Sequence, residues 1–225
     1  MEDHHHHDAL LSLPIISDEQ ELLKHGICVC PIPWSDTERH AFAKELSQCT
    51  PMNLTAEGDH AHAFYRNILD EPNMPFDSIL SSDIGTTMAR YFDVASLGTD
   101  IRLDDAFCIH YNMTQDDTSG AKHTDPSDIT VNMCLETSPD IRGSYVLFHG
   151  TQPLMGIAPS RDHDTTMTNA FQFLVEQRPG YATLHWGHHP HETTRLLQGH
   201  RTNIVLTYCY TDPTRSDVTM RTCYS

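Results

Sequence analysis

From about residue 101 the chain breaks into short β-branched and aromatic runs separated by turn residues, and this pattern constrains the fold more than any other feature. The runs are Ala106–Met113, Ile129–Leu135, Gly143–His149, Ala182–Trp186 and Thr202–Tyr210. Short strands at this spacing predict a sandwich or barrel rather than repeated βαβ units. Ahead of them the signals are mostly helical. Ser17-Asp18-Glu19-Gln20 opens a short helix that Gly26 ends, and Ile27-Cys28-Val29-Cys30-Pro31 reads as a strand. Trp34-Ser35-Asp36 caps a second helix to about Gln48, with Phe42 and Leu46 on one face. A third helix is expected from about Ile79 to Phe92, after an irregular stretch over 50–77 rich in Pro, Asn, Asp and Gly. The expected class is α+β with a mainly β core. Residues 1–14 are expected to be disordered, 15–100 to form a helical support region and 101–225 to form the core of a single domain.

Composition narrows the function. The net charge is −17, from 31 acidic and 14 basic residues, and no Lys/Arg-rich run is present. That balance repels phosphate backbones, so extended nucleic-acid binding is not expected. No apolar run is long enough to span a bilayer, and the first residues lack the basic and apolar regions of a signal peptide. The seven cysteines are scattered, with no CxxC pair, which fits reduced thiols and a cytoplasmic or nuclear setting. Histidine is the outlier at 17 copies. The tract His4 to His7 can bind metal adventitiously and is set aside from the fold argument.

Two groups of residues carry chemistry. The first is Lys122-His123-Thr124-Asp125. Strand residues at i and i+2 project to one side, so His123 and Asp125 can offer an imidazole nitrogen and a carboxylate oxygen to one ion. Iron(II) takes that mixture when a second histidine completes a facial triad. The second group runs from Gly180-Tyr-Ala-Thr-Leu-His185-Trp-Gly187-His188-His189-Pro-His191 to Gly199-His200-Arg201-Thr-Asn203-Ile-Val-Leu206. Here His191 begins a strand, Gln198-Gly199 turns the chain, and Arg201 is expected to return beside it as a hairpin inside the barrel. A buried arginine needs an anionic partner, and its planar fork suits a carboxylate such as the far end of a dicarboxylic keto acid.

These residues together resemble the iron(II)/2-oxoglutarate-dependent dioxygenases of the prolyl- and lysyl-hydroxylase type. The likeness runs from about Phe107 to Tyr210. It rests on Tyr111, His123-Thr-Asp125, Asp128-Ile-Thr130-Val-Asn132-Met-Cys-Leu135, Gly143-Ser-Tyr-Val-Leu-Phe148, Gly180 to His185, and His191 with Gly199-His-Arg201. The resemblance implies a double-stranded β-helix (jelly-roll or cupin-like) with N-terminal helices packed on it. It implies iron(II) on His123, Asp125 and His191, and 2-oxoglutarate as cosubstrate with its tail on Arg201. It further implies hydroxylation of a C–H bond using O2, with release of succinate and CO2 and with ascorbate as a stimulant. The substrate so implied is a protein side chain of prolyl or lysyl type, ahead of a free amino acid or small metabolite. The family has two glycines where Gly143-Ser144 stands, a departure that bears on substrate access rather than on the metal.

Other residues are weighed against that frame. His185 competes with His191, and Arg195 follows it by ten residues, but only Arg201 leads into an apolar strand, Ile204-Val205-Leu206. His185 is then a core histidine near the site, and His188 and His189 sit in a loop. Tyr111 is a candidate to hydrogen-bond the keto acid. Thr130 and Asn132 share a face, and Thr130 is taken as the one that reaches the cosubstrate. Lys122, Arg142, His60 and His62 read as surface. A cupin-like metal protein without oxygenase activity, or a partner-binding scaffold, has no use for a buried Arg201.

Overall fold

A computed structural model describes residues 13–47, 64–70, 74–115, 118–157 and 171–216. His4 to His7, His60 and His62 lie outside the described residues. Two antiparallel sheets dominate. The larger contains, in spatial order, β1 (Cys28–Pro31), β9 (Tyr181–Trp186), β5 (Ile129–Thr137), β12 (His200–Tyr210), β3 (Ile101–Asn112) and β2 (Phe64–Asn67). The smaller contains β4 (Gly120–His123), β10 (His191–Thr193), β7 (Val146–His149) and β8 (Gln172–Val175). A two-stranded piece, β6 (Arg142–Gly143) with β11 (Leu196–Gln198), sits apart. Ring contacts bridge the sheets: His185 on β9 lies 5.1 Å from Phe148 on β7 and 4.7 Å from His191 on β10, centroid to centroid. The two facing sheets form a double-stranded β-helix.

Strand alternation divides the residues of the larger sheet between two cores. Ile129, Val131, Met133 and Leu135 of β5, with Ile204, Leu206 and Tyr208 of β12, are buried against the helices. Those helices are α1 (Glu19–Lys24), α2 (Asp36–Ser47), α3 (Phe76–Leu80) and α4 (Asp83–Tyr91). Ala43, Leu46, Ile79, Ile84 and Met88 supply their side of that core. The opposite face carries Thr130, Asn132 and Cys134 on β5 and Arg201, Asn203 and Val205 on β12. It turns toward the smaller sheet, where Val146, Phe148, Phe173 and Val175 pack with Leu22 and Ile27. Polar side chains therefore line one end of the inter-sheet space and aromatic ones the other.

Several expectations needed correction. The irregular stretch contains β2, which pairs with β3 from Phe64↔His110 to Asn67↔Phe107. With β1 on the opposite edge, the region expected as helical support supplies both edge strands of the larger sheet. The third helix is two helices. Ser82 breaks it: its hydroxyl donates to Ile79 O (2.6 Å) and accepts from Ile84 N–H (3.2 Å), so it caps α4 instead of continuing α3. Most consequentially, β10 and β12 do not form a hairpin. His191 stands in the smaller sheet, Arg201 in the larger, and β11 lies between them in sequence. Among the described residues, no helix is long and apolar enough to cross a membrane.

Candidate active site

Three side chains converge where the sheets meet. His123 ends β4 and His191 begins β10, and the two are register partners. Asp125 is not a strand residue, as the i, i+2 reading supposed. It sits in the following loop, where its N–H donates to Gly187 O at 2.8 Å. Asp125 Oδ1 is 3.4 Å from His123 Nε2 and 3.8 Å from His191 Nε2. One ligand atom from each residue lies within 4.8 Å of the other two, the only such group among the described residues.

Both imidazoles are oriented by the backbone. His123 Nδ1–H donates to Ala121 O (2.7 Å) and His191 Nδ1–H to His189 O (2.9 Å), which leaves each Nε2 as a lone-pair donor aimed at the centre. The carboxylate is oriented too. Thr130 Oγ1 donates to Asp125 Oδ2 at 2.5 Å, and Ser127 Oγ lies 3.2 Å from Thr130 Oγ1. Thr130, expected on the cosubstrate, thus commits its one proton to the carboxylate. Asn132, its partner on that face, is hydrogen-bonded to Asn203 Nδ2 at 2.5 Å.

Electrostatics match a cation at this point. Burial opposes ionisation of Asp125, but its hydrogen bond to His123, the fields of His191 and His185, and the Thr130 hydroxyl outweigh it and hold the carboxyl well below the usual range. His123 is pushed up, chiefly by its hydrogen bond to Asp125. Burial pushes His191 down, His185 to about 4 and His189 to about 3, so these rings are held neutral. The side chain of His123 is 40% exposed against 12% for Asp125 and 11% for His191, so the group opens past His123.

Arg201 occupies the same inter-sheet space, 2% exposed. Its Nη1 donates to Ser144 O (2.5 Å), its Cζ lies 5.3 Å from the Tyr111 ring centroid, and its buried Nε has no hydrogen-bond partner. Among the described residues it makes no ion pair, and burial lowers its pKa. Tyr111 is buried and directly opposite it in register. The other histidines are accounted for: His185 donates from Nδ1 to Trp186 O, His189 is fully buried with Nε2 to Gly150 O, and His188 stacks on Trp186 at 5.8 Å. Lys122 and Arg142 are exposed.

No family model matches the chain. It is similar to the 2-oxoglutarate and iron-dependent oxygenase domain-containing protein ICU11 of Arabidopsis thaliana, 26% identical over 134 residues, which is 58% of this chain and 32% of that protein. Over that segment the chain is similar to 2-oxoglutarate and iron-dependent oxygenase domain proteins. It spans about a third of the length of that relative. Two solved structures share its fold. HygX from Streptomyces hygroscopicus, with nickel and 2-oxoglutarate bound, superposes with a TM-score of 0.55 at 18% identity and covers 88% of each chain. The viral collagen prolyl hydroxylase of Paramecium Bursaria Chlorella virus-1, in complex with 2-oxoglutarate, gives 0.52 at 10% identity over 81% of this chain and 94% of its own. The relatives are named for iron and 2-oxoglutarate, and this chain has a donor set of a type that suits iron. Two imidazoles and one carboxylate suit a non-haem iron(II), and the orphaned Arg201 Nε marks a buried cation short of acceptors.

Sequence reasoning missed the roles of two residues that build the site. Ser144 holds Arg201 through its carbonyl, a role no side-chain pattern signals. Gly187 lies against Ser127, where an added Cβ would sit 2.0 Å from Ser127 O, and its N–H and C=O bond Asp128 O and Asp125 N–H. Gly187→Ala therefore forces apart the two loops that present Asp125 and His191. Overpacking of this kind costs about 1–3 kcal/mol, so the thermal midpoint should fall by several degrees. An unchanged midpoint in a melting experiment would show that the loops yield without cost. Thr130→Val tests the carboxylate support: metal affinity should drop on the order of 10- to 100-fold, read by competition with a chelator, and wild-type affinity would mean Asp125 is held by the backbone alone.

Proposed function

We propose that this chain is an iron(II)- and 2-oxoglutarate-dependent dioxygenase, with the metal on His123, Asp125 and His191 and the distal carboxylate of the keto acid on Arg201. The observation that carries the reading is Arg201: a buried guanidinium with no anionic partner among the described residues, in the inter-sheet space that also holds a His–Asp–His group. Burying an unpaired cation is costly, and a metal-binding barrel without a keto acid gains nothing from it. When bound, iron(II) and 2-oxoglutarate would couple decarboxylation of the keto acid, with release of succinate and CO2, to hydroxylation of a C–H bond by O2.

The chain's own residues supply position and exclusion of water. Ala121 O and His189 O fix the two imidazoles with Nε2 inward. Thr130 and Gly187 fix the carboxylate, and Ser144 O fixes the guanidinium. Phe148 packs beside His185, His189 and His191, keeping their surroundings apolar. We place a protein side chain of prolyl or lysyl type first as substrate. Support comes from the motif likeness over residues 107–210 and from the exposed flank at His123, where a side chain borne on a peptide can approach. A free amino acid or small metabolite is the other reading. The test is succinate formation by the iron(II)-loaded chain with 2-oxoglutarate and ascorbate, alone and with prolyl peptides, lysyl peptides or free amino acids. Succinate that rises with a peptide supports the full reading, a rise with free amino acids alone moves the substrate class, and the absence of both turnover and 2-oxoglutarate binding overturns the activity.

A further inference from the structure

His123 ends a strand that lies at the edge of its sheet. In the smaller sheet β4 pairs with β10, and β7 and β8 follow on the far side of β10. The partners of β4 all lie on one flank. His123 is opposite His191 and Gly120 opposite Thr193. Just before the strand, Thr118 O accepts from Leu196 N–H and Thr118 Oγ1 donates to Leu196 O, both at 3.1 Å. On the other flank β4 has no strand partner among the described residues, and Ala121, Lys122 and Thr124 are exposed.

The opposite edge of the same sheet is treated differently. Along β8 the chain's own residues 14–16 add a further extended segment: Ile16 N–H donates to Leu174 O and Leu174 N–H to Pro14 O, both at 2.9 Å. An uncovered edge is a liability that folds blunt with short strands, lysines and bulges. β4 has all three, being four residues long, carrying Lys122 and shifting register against β10 between His191 and Thr193. Such an edge resists pairing with a long strand and still offers a short peptide its backbone groups.

Register decides what that peptide would present. An added strand lies about 4.8 Å from its neighbour, and side chains directly opposite each other share one face of the sheet. His123 points inward, with its ring 4.5 Å from that of His191 and its Nε2 3.4 Å from Asp125 Oδ1. A residue in register with His123 therefore aims its side chain at the same group from the exposed side. The residues before and after it point to the outer face, which Lys122 shares.

We propose that the outer edge of β4 docks the polypeptide substrate as an added extended strand, which delivers the side chain in register with His123 to the metal. This rests on the dioxygenase reading above and states how its substrate is held. Main-chain hydrogen bonds give such a complex its affinity, and alternate side chains its selectivity.

The experiment uses short peptide libraries with a fixed central prolyl or lysyl residue and the other positions randomised. They are incubated with the iron(II)-loaded full chain, 2-oxoglutarate and ascorbate, and mass spectrometry reads the gain of one oxygen. The best peptide is then remade with a single backbone N-methyl group at each position in turn, which removes one donor and crowds a neighbouring strand. The proposal expects KM to rise at least about tenfold at alternate positions around the target and to change little at those between. Bound peptide should also slow amide hydrogen exchange of residues 120–124. A KM that no N-methyl group alters, or losses spaced by three as a polyproline helix would give, overturns edge docking. So does exchange protection that leaves out 120–124. Protection of that segment without peptide, rising with protein concentration, would assign the edge to a second copy instead. A chain that binds 2-oxoglutarate but oxidises no library peptide overturns the docking and leaves the dioxygenase reading standing, whereas one that binds no 2-oxoglutarate removes that reading itself.

Discussion

Asp125→Asn is expected to reduce succinate formation to background, by about three orders of magnitude or more, the scale on which a member of a catalytic unit is lost. Asparagine keeps the volume and an oxygen for the Thr130 hydroxyl, so the loop from His123 to Ser127 should hold its shape. What it removes is the one anionic donor among the three candidate ligands. His123 Nε2 and His191 Nε2 would remain with their Nδ1–H bonds to Ala121 O and His189 O, a neutral pair with no charge to balance a divalent ion. Metal content after dialysis should fall with the activity, and the melting midpoint of the metal-free protein should fall modestly, because the fold holds this carboxyl ionised below its ordinary range and the neutral amide loses that contribution. A fully active Asp125→Asn would place the metal elsewhere.

Arg201→Met has an expected signature that an ordinary core substitution lacks. The KM for 2-oxoglutarate should rise by about a hundredfold or more, since truncating one partner of a buried charge pair costs about 2–5 kcal/mol. Stability of the ligand-free protein should nevertheless be unchanged or higher. In that state Arg201 is buried with a single hydrogen bond, to Ser144 O, and no anion among the described residues. Desolvating a lone cation costs several kcal/mol even after relaxation, whereas the carbonyl left behind costs about 1–3 kcal/mol. The first effect is the larger. Methionine fills much of the same volume without strain. A variant that loses both stability and affinity would make Arg201 a structural residue, and one that keeps its KM would leave the keto acid unexplained. An arginine that weakens the empty fold and strengthens the occupied one is a mark of function over stability.

Much of this arrangement was legible in the residues. The β-branched and aromatic runs Ile129–Leu135 and Thr202–Tyr210 predicted strands, with Thr130 and Asn132 on one face, and the structure turns that face between the sheets. Arg201 singled out His191 from His185, His188 and His189, because only it is followed by the apolar strand Ile204-Val205-Leu206. The route that puts His191 and Arg201 on facing sheets was not legible. Ten residues with a Gly199 turn look like a hairpin locally, but pairing is decided by the partners each strand finds. His191 finds His123 and Phe148, and Arg201 finds Tyr111 and Thr137. The i, i+2 spacing likewise named a pair that the structure brings together by another path, since Asp125 is placed by Gly187 O and Thr130 in a loop. Edge strand β1 was legible in Ile27–Pro31, whereas β2 lies in a stretch rich in turn residues and pairs with β3 alone. The split at Ser81-Ser82 turns on whether a hydroxyl bonds its own backbone, which composition does not decide. The Gly143-Ser144 departure was visible but pointed at substrate access, whereas in the fold it sits against Arg201.

The central claim is that one inter-sheet space holds a metal and a keto acid together. Calorimetric titration of 2-oxoglutarate into the chain, with and without a divalent metal, tests it most directly. The account predicts one site per chain, binding that depends on the metal, and loss of that binding in both Asp125→Asn and Arg201→Met. Binding that is equally tight without metal, or that survives both substitutions, would contradict it.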